Sequence, residues 1–309
     1  MSPRYGTRSP TARTTDATSR SPWLHRHGLL AYTLIAYLIT WALLIGGFLG
    51  TTTGVLDPEG VLVSVMIQVA AAGPLIAALT VISRTLGRRG LAALGRSLIK
   101  WRVDPGWYAA VFLGVPLLMV AAVAVRHPET ASALPENWSL LLMPLPLGIV
   151  GVAVVTGLAE EPGWRGYAQP TTNRRFPPLV AALVVSLIWA AWHLPNALFT
   201  QDAAETATHF LATLVNGFVL AWAYNSTQGS LLIVMLLHGS QNATNGLINR
   251  LATASGVELT TVEYYLISAI TFGALISIVA VLTRGRLGTH THHREESAEP
   301  RDNRGGRIE

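Results

Sequence analysis

The sequence predicts an all-α membrane protein, a polytopic bundle of about eight transmembrane helices. Half of its 309 residues are hydrophobic and only 13% are charged, and the mean hydropathy is +0.41. A soluble domain typically carries about 25% charged residues. This composition excludes a disordered chain, a nucleic-acid-binding protein and an ordinary cytosolic enzyme as first interpretations. The absence of cysteine excludes disulfides, a thiol nucleophile and thiolate metal sites.

Eight stretches approach or exceed the length of about 20 apolar residues that a helix needs to cross the hydrocarbon core. In chain order they are residues 29–49, 61–83, 106–125, 140–159, 178–199, 209–224, 229–249 and 262–283. The sixth stretch is short, and the fourth and seventh carry polar residues. The polar tails, 1–27 and 285–309, are predicted to lack fixed structure and to be cytoplasmic, which leaves 28–284 as the transmembrane domain.

The basic residues predict the orientation of the bundle. Of the 22 Lys and Arg residues, 20 lie in the two tails and in the segments that follow the second and fourth stretches. The alternate loops hold Arg126 and Arg250. Because Lys and Arg are enriched in cytoplasmic loops, we expect a multi-pass cell-membrane protein with both termini in the cytoplasm. The basic pI of 9.9 is then a topology signal, and the lipid bilayer rather than a nucleic acid is the expected partner.

Three groups of polar residues interrupt the apolar stretches, at 160–166, 189–193 and 238–242. Ionisable side chains at membrane depth are costly and by default indicate a functional site. Arg174 and Arg175 mark a turn between the fourth and fifth stretches, which brings Glu160 and His193 to similar depth on the two arms of a hairpin. His238 lies near the middle of the seventh stretch, so all three helices are expected to present polar groups at one level.

The first group contains a predicted ion pair. Glu161 and Arg165 are four residues apart, which places them on one helical face. Glu160 is turned by about 100° from Glu161 and therefore faces another direction. Pro162 is expected to kink the helix here and to open space for water.

The third group begins a polar stripe. His238, Asn242, Asn245 and Asn249 lie at i, i+4, i+7 and i+11, one face of a helix. Such a face lines a cavity or a partner helix. Taken singly, each group has a structural explanation as well: a structural ion pair, a histidine bonded to a nearby carbonyl, or asparagines that join helices. Their coincidence on three spans favours a site.

The three groups resemble a known family. They match in order E-E-x-x-x-R at 160–165, aromatic-x-x-x-H at 189–193 and H-x-x-x-N at 238–242, which are similar to the motifs of the CPBP intramembrane proteases. That family includes the type II CAAX prenyl endopeptidases and bacterial bacteriocin-immunity and abortive-infection proteins. The resemblance covers roughly residues 60–283. Trp189 stands where the second motif usually has Phe.

The resemblance implies an intramembrane endopeptidase without a cofactor, acting on a peptide or a membrane protein. By its motifs, Glu160 and His193 would activate the attacking water, and His238 and Asn242 would form the oxyanion hole. The supporting positions would be Glu161, Arg165 and Trp189. The chemistry is sound, because a poorly solvated carboxylate is a stronger base and preorganised donors stabilise a developing negative charge.

Several alternatives stay open. Glu160, His193 and His238 could form a His₂Glu zinc site, although the H-E-x-x-H signature is absent. A serine protease is disfavoured: Ser186, Ser230 and Ser240 occur in spans, but none of the three lies in a G-x-S-x-G setting. The non-enzymatic alternative is an immunity or scaffold protein, or a transporter, that uses the same cavity. The substrate, and whether it is prenylated, is left open.

Overall fold

The computed structural model describes residues 22–200 and 202–289 of the 309. Across these two ranges the regular secondary structure is helical, without strands, which confirms the all-α fold class. The helices are α1 Pro22–Thr52, α2 Val61–Ala71, α3 Gly73–Thr85, α4 Gly87–Leu98, α5 Gly106–Arg126, α6 Pro128–Ser132, α7 Ser139–Asn173, α8 Pro178–Thr200, α9 Ala203–Ser226, α10 Leu231–Ala254 and α11 Thr261–Leu282.

The number of apolar helices agrees roughly with the predicted eight spans. Within the described residues, six helices are long and apolar enough to cross a membrane: α1, α5, α7, α8, α9 and α11. The pair α2 and α3 adds a seventh if this bent element, with 49° between its halves, is one span. The bend falls just before Pro74, whose missing N–H interrupts the helical hydrogen bonds. The seventh predicted stretch forms α10. The polar C-terminal half of α10 lowers its mean hydropathy, and α10 is not among the six helices.

Some boundaries differ from those the sequence predicts. Helix α1 begins at Pro22 and is kinked at His27, so residues 22–26 are helical although they fall in the predicted N-terminal tail. Proline is well suited to a first helical turn because its φ is preset. Helix α7 continues to Asn173, well past the predicted end at residue 159. The remainder of the predicted tails, 1–21 and 290–309, lies outside the described residues.

Hydrogen bonds bring together the segments that the charge pattern assigns to one side of the membrane. Lys100 Nζ donates to the carbonyl oxygen of Gln228 at 2.9 Å, which joins the segment after α4 to the α9–α10 loop. Arg175 donates to the carbonyl oxygen of Arg26 at 3.0 Å, which joins the α7–α8 loop to the start of α1. We call this side, formed by residues 86–105, 174–177, 227–230 and 283–289, the arginine-rich face.

The other ends of the helices form the opposite face, made of residues 53–60, 127–138, 202 and 255–260. There Glu263, in the first turn of α11, pairs with Arg126 and with His127. The two faces alternate along the chain as the predicted topology requires. That the arginine-rich face is cytoplasmic is still a prediction.

Helices α7 and α10 approach closely at two glycines. A Cβ on Gly239 would lie 2.2 Å from the carbonyl oxygen of Ile149, and one on Gly157 would lie 3.1 Å from the Cβ of Met235. Small residues allow membrane helices to approach backbone to backbone. These contacts hold the helix of the acidic motif against the helix of the H-x-x-x-N motif.

After α11 the chain turns back on the bundle. Arg284 and Leu287 both adopt positive φ, and the Leu287 side chain is fully buried. It packs in a small cluster with Ala182 of α8, Ala221 of α9 and Val279 of α11. The start of the predicted C-terminal tail is therefore packed on the arginine-rich end of these helices.

Candidate active site

Helix α7 is irregular where it carries the acidic pair. Two π-helical turns, Ala153–Gly157 and Trp164–Ala168, flank the segment Leu158–Gly163, which contains Pro162. Proline has no N–H to donate and crowds the preceding turn, and π-helical turns are frequent at functional sites. Glu160 and Glu161 are both buried here, so each carboxylate needs its own polar partners.

Glu160 is held by the aromatic residue of the second motif. Trp189 Nε1 on α8 donates a hydrogen bond of 2.7 Å to Glu160 Oε2. A phenylalanine, the usual residue at this position of the motif, has no N–H and could not make this bond. Trp189 therefore provides a hydrogen-bond donor in addition to an aromatic ring. Glu160 also lines the central cavity, where its carboxylate can meet a water molecule or a substrate.

Glu161 faces away from Glu160 and joins two other motif residues. Arg165 contacts both carboxylate oxygens, at 3.2 and 3.1 Å, and both side chains are fully buried. His238 Nδ1 on α10 lies 2.7 Å from Glu161 Oε1. The Arg165 guanidinium also lies over the Trp189 ring, 4.5 Å from its centroid, a favourable cation–π geometry. This network links α7, α8 and α10.

Both histidines use Nδ1 for a hydrogen bond to an acceptor in the protein. His193 Nδ1 lies 3.0 Å from the carbonyl oxygen of Trp189. A carbonyl oxygen only accepts, so Nδ1 carries the proton and Nε2 of the neutral ring is left as an acceptor. His238 Nδ1 donates to the Glu161 carboxylate by the same reasoning. Its Nε2 can donate only when the ring is protonated at both nitrogens.

The four residues assigned to catalysis by the motifs line one cavity of about 380 Å³. Glu160, His193, His238 and Asn242 all contribute to its wall. Asn242 follows His238 by one helical turn on the same face of α10. The helices predicted to meet do meet, and the acid, imidazole and amide groups share one enclosed space.

The polar stripe on α10 continues from this cavity. Asn245 lines it as well, and Asn249 donates a hydrogen bond of 3.1 Å to Asn245 Oδ1. Both asparagines also line a second cavity of about 400 Å³ between α10 and the start of α11. The stripe therefore faces open, polar space rather than lipid.

Helix α9 supplies lining residues that the sequence analysis missed. His209, Thr213 and Asn216 line the cavity. The His209 ring meets His193 edge to face, with centroids 5.0 Å apart, and stacks on Tyr265 of α11 at 4.9 Å. The i, i+4, i+7 spacing of these three residues indicates a polar face on α9. This face is hard to recognise in the sequence because His209 lies at the edge of a short apolar stretch.

The donors of the zinc alternative do not converge. Within residues 22–200 and 202–289, no three His, Cys, Asp or Glu side chains are placed to hold a metal ion. Glu160, His193 and His238 line the same cavity, but they do not form such a group of three donors. The arrangement does not fit a three-ligand His₂Glu site.

The span serines have structural contacts. Ser240 donates to the carbonyl oxygen of Val111 at 2.5 Å, and Ser230 donates to the carbonyl oxygen of Lys100 at 2.6 Å. Ser186 is fully buried at the point where Gly217 of α9 comes closest to α8. None of these three serines lines the central cavity, which agrees with the absence of a serine-protease motif.

Two known protein groups are similar to the part of the chain that forms this cavity. Residues 142–244 match the family model for type II CAAX prenyl endopeptidase Rce1-like proteins, and this range includes all three motifs. A segment of 88 residues is 26% identical to CAAX prenyl protease 2 of Methanococcus maripaludis, covering 26% of this chain and 32% of that protein. The chain thus matches about a third of the length of this curated relative. The resemblance to the CPBP family is confirmed.

Proposed function

We propose that this protein, which resembles the CPBP family, is an intramembrane endopeptidase that hydrolyses a peptide bond in its central cavity. The observation that carries the proposal is the shared cavity: Glu160, His193, His238 and Asn242 line one space of about 380 Å³. A general base and oxyanion donors around one space are the minimum set for acyl transfer to water.

In the proposed reaction, Glu160 and His193 activate the water. Glu160 is oriented by the Trp189 hydrogen bond, and His193 presents Nε2 as an acceptor because Nδ1 is bonded to the Trp189 carbonyl oxygen. The water gives its proton to this pair as its oxygen attacks the carbonyl carbon. When the C–N bond breaks, the same proton passes to the leaving amine.

His238 and Asn242 stabilise the oxyanion in this mechanism. The Asn242 amide donates from its side-chain nitrogen, and His238 donates from Nε2 in its doubly protonated form, with Nδ1 bonded to the Glu161 carboxylate. Arg165 orients Glu161 through its contacts with both carboxylate oxygens. A charged donor gives a stronger hydrogen bond than a neutral one, so the Glu161–His238 contact adds directly to oxyanion stabilisation.

The test is a comparison of membrane proteomes from cells that express wild-type protein, Glu160→Gln or Glu136→Gln. Glu160→Gln keeps the size of the side chain and removes the base. Glu136 is exposed and remote from the site, so its variant is a matched control. We expect new protein termini with wild type and Glu136→Gln and their loss with Glu160→Gln. Equal termini in all three, with cellular function intact in Glu160→Gln, would instead indicate a binding protein.

A further inference from the structure

We infer that helix α4 and its flanking residues form a binding surface for the headgroups of anionic phospholipids. We call this region, residues 84–102, the α4 surface. None of its residues lines the central cavity, so the inference goes beyond the proposed function and does not depend on it. Both leaflets of a bilayer can contain anionic lipid, so the inference holds for either orientation of the bundle.

Helix α4 lies against the side of α7, between the end of α3 and the start of α10. Just after α4 ends, the carbonyl oxygen of Lys100 accepts a hydrogen bond of 2.6 Å from Ser230 Oγ, at the start of α10. In the middle of α4, Leu94 Cδ1 lies 2.6 Å from the position of a Cβ on Gly166. Helix α7 continues from Gly166 to Asn173, so α4 packs on its flank rather than beneath its end. The outer side of α4 therefore faces the perimeter of the bundle, at the level where the apolar α3 ends and lipid headgroups begin.

The inner and outer sides of α4 differ in chemistry. Three leucines spaced i, i+3 and i+7 are packed on the hydrophobic core of the bundle: Leu91, Leu94 and Leu98. Arg89 and Arg96 lie on the other side of the helix and are exposed, with the small residues Ala92 and Ala93 between them. Because the protein already covers the leucines, the basic side of the helix is the side that can meet headgroups.

The positive charge of the α4 surface is not compensated by the protein. Five of its arginines are exposed: Arg84, Arg88, Arg89, Arg96 and Arg102. None of the ion pairs found within residues 22–200 and 202–289 involves them. Lys100, in contrast, is used inside the protein, since its Nζ donates to the carbonyl oxygens of Thr227 and Gln228. A guanidinium is well suited to bind a phosphate through two parallel hydrogen bonds.

Exposed apolar side chains lie among these arginines. Leu86 is 52% exposed, Ile99 71% and Trp101 61%, and the Arg102 guanidinium lies 5.0 Å from the centroid of the Trp101 ring. Tryptophan is enriched at the membrane–water interface, and basic residues combined with apolar ones are typical of surfaces that contact lipid. The combination favours a phospholipid over a soluble acidic protein. Uncompensated arginines favour anionic lipid, because the choline of phosphatidylcholine already neutralises its own phosphate.

The experiment measures which lipid is enriched beside α4. The full chain has no cysteine, so Ala93→Cys carries a single small fluorophore on the outer side of the helix. The labelled protein is placed in phosphatidylcholine nanodiscs that contain a minor, fixed fraction of lipid with a nitroxide quencher near its headgroup. The quencher is attached to phosphatidylglycerol in one sample and to phosphatidylcholine in the other. We expect about fivefold enrichment of the phosphatidylglycerol quencher, the factor for one basic residue near an anionic surface, and a smaller factor at high salt.

Three variants of the labelled protein test whether the α4 arginines cause this preference. Replacing Arg88, Arg89 and Arg96 together by Gln should abolish it, and replacing the same three by Lys should keep most of it. The control replaces three exposed arginines outside the α4 surface by Gln, namely Arg174, Arg250 and Arg286. It has the same net charge as the first variant and should keep the preference. A melting curve verifies that each variant is folded.

Three results would overturn the inference. One is equal quenching by the two lipids in the labelled protein that keeps all its arginines. The second is an unchanged preference when the three α4 arginines are Gln. The third is an equal loss in the charge-matched control, which would assign the preference to net charge rather than to α4. The quenching does not depend on turnover, so the outcome for Glu160→Gln and the outcome here are independent of each other.

Discussion

His238 Nδ1 lies 2.7 Å from Glu161 Oε1, so the second glutamate of the acidic pair holds the histidine assigned to the oxyanion hole. The first glutamate, Glu160, is bonded to Trp189 and faces the cavity. Two adjacent carboxylates are thereby held by different partners. Their different surroundings are the basis for proposing Glu160 as the base and Glu161 as the partner of His238.

The Arg165 ion pair is predicted to be essential for folding. Arg165→Ala would leave the fully buried Glu161 without its cationic partner, and breaking a buried pair in this way costs about 3–5 kcal/mol. Arg165→Lys should recover only part of this, because the guanidinium contacts Glu161 through Nη1 and the carbonyl oxygen of Gly217 through Nη2, whereas an ammonium has a single nitrogen. Thermal unfolding in detergent measures both. Arg174→Ala, at an exposed position, is the control, and equal melting of Arg165→Ala and Arg174→Ala would show the pair to be dispensable.

The oxyanion assignment predicts graded losses of activity. Asn242→Ala should lower kcat by about 10²–10³, the usual cost of one oxyanion donor, and His238→Ala should have a similar effect. His193→Ala should be more severe because it removes part of the base. Turnover of the three purified variants is the measurement.

The same set of variants tests the zinc alternative. If zinc were bound by both histidines, His238→Ala would match His193→Ala, since losing either ligand empties the site. The metal content of the purified wild type is measured in parallel. Stoichiometric zinc, with activity removed by a chelator and restored by added metal, would defeat the mechanism proposed for Glu160 and His193.

His209 is predicted to position His193. Its ring packs edge-on against His193 and stacks on Tyr265, so His209→Ala should free the His193 ring and lower kcat by about tenfold, as a small geometric error at a catalytic group does. His209→Phe keeps an aromatic ring there and should recover most of the loss. A change in KM without a change in kcat would assign His209 to substrate binding instead.

Two glycines of α10 should respond oppositely to alanine. Gly239→Ala would place a methyl group 2.2 Å from the Ile149 carbonyl oxygen, and overpacking of this kind typically costs about 1–3 kcal/mol. Gly246 has open space around its Cβ position, so Gly246→Ala should stabilise the helix by about 0.5–1 kcal/mol. Unfolding in detergent compares the two, and equal stability of both variants would contradict the close α7–α10 contact.

The fold was predictable because hydropathy alone identifies long apolar helices. The concentration of basic residues in every second connecting segment also indicates which helix ends lie on the same side of the bundle. Local backbone effects were less predictable: the bend before Pro74 splits one predicted span, and α7 continues to Asn173 through two π-helical turns. Both depend on how neighbouring helices replace the hydrogen bonds that proline removes.

The site was predictable where residues repeat on one helical face. The spacing of Glu161 and Arg165 predicts the ion pair that the structure contains. The stripe from His238 to Asn249 predicts a polar helix face, which lines the two cavities. The partner of His238 could not be derived from spacing, because it lies 77 positions away on another helix. His209 was missed for the related reason that its importance comes from Tyr265 and His193, which only the packing of α8, α9 and α11 brings together.

The buried Leu287 has a consequence for truncation of the chain. Its side chain packs against the arginine-rich ends of α8, α9 and α11, three helices that also line the central cavity. Shortening the chain after Leu282 would remove this contact, so we expect the shortened protein to unfold at a lower temperature although every motif residue is kept.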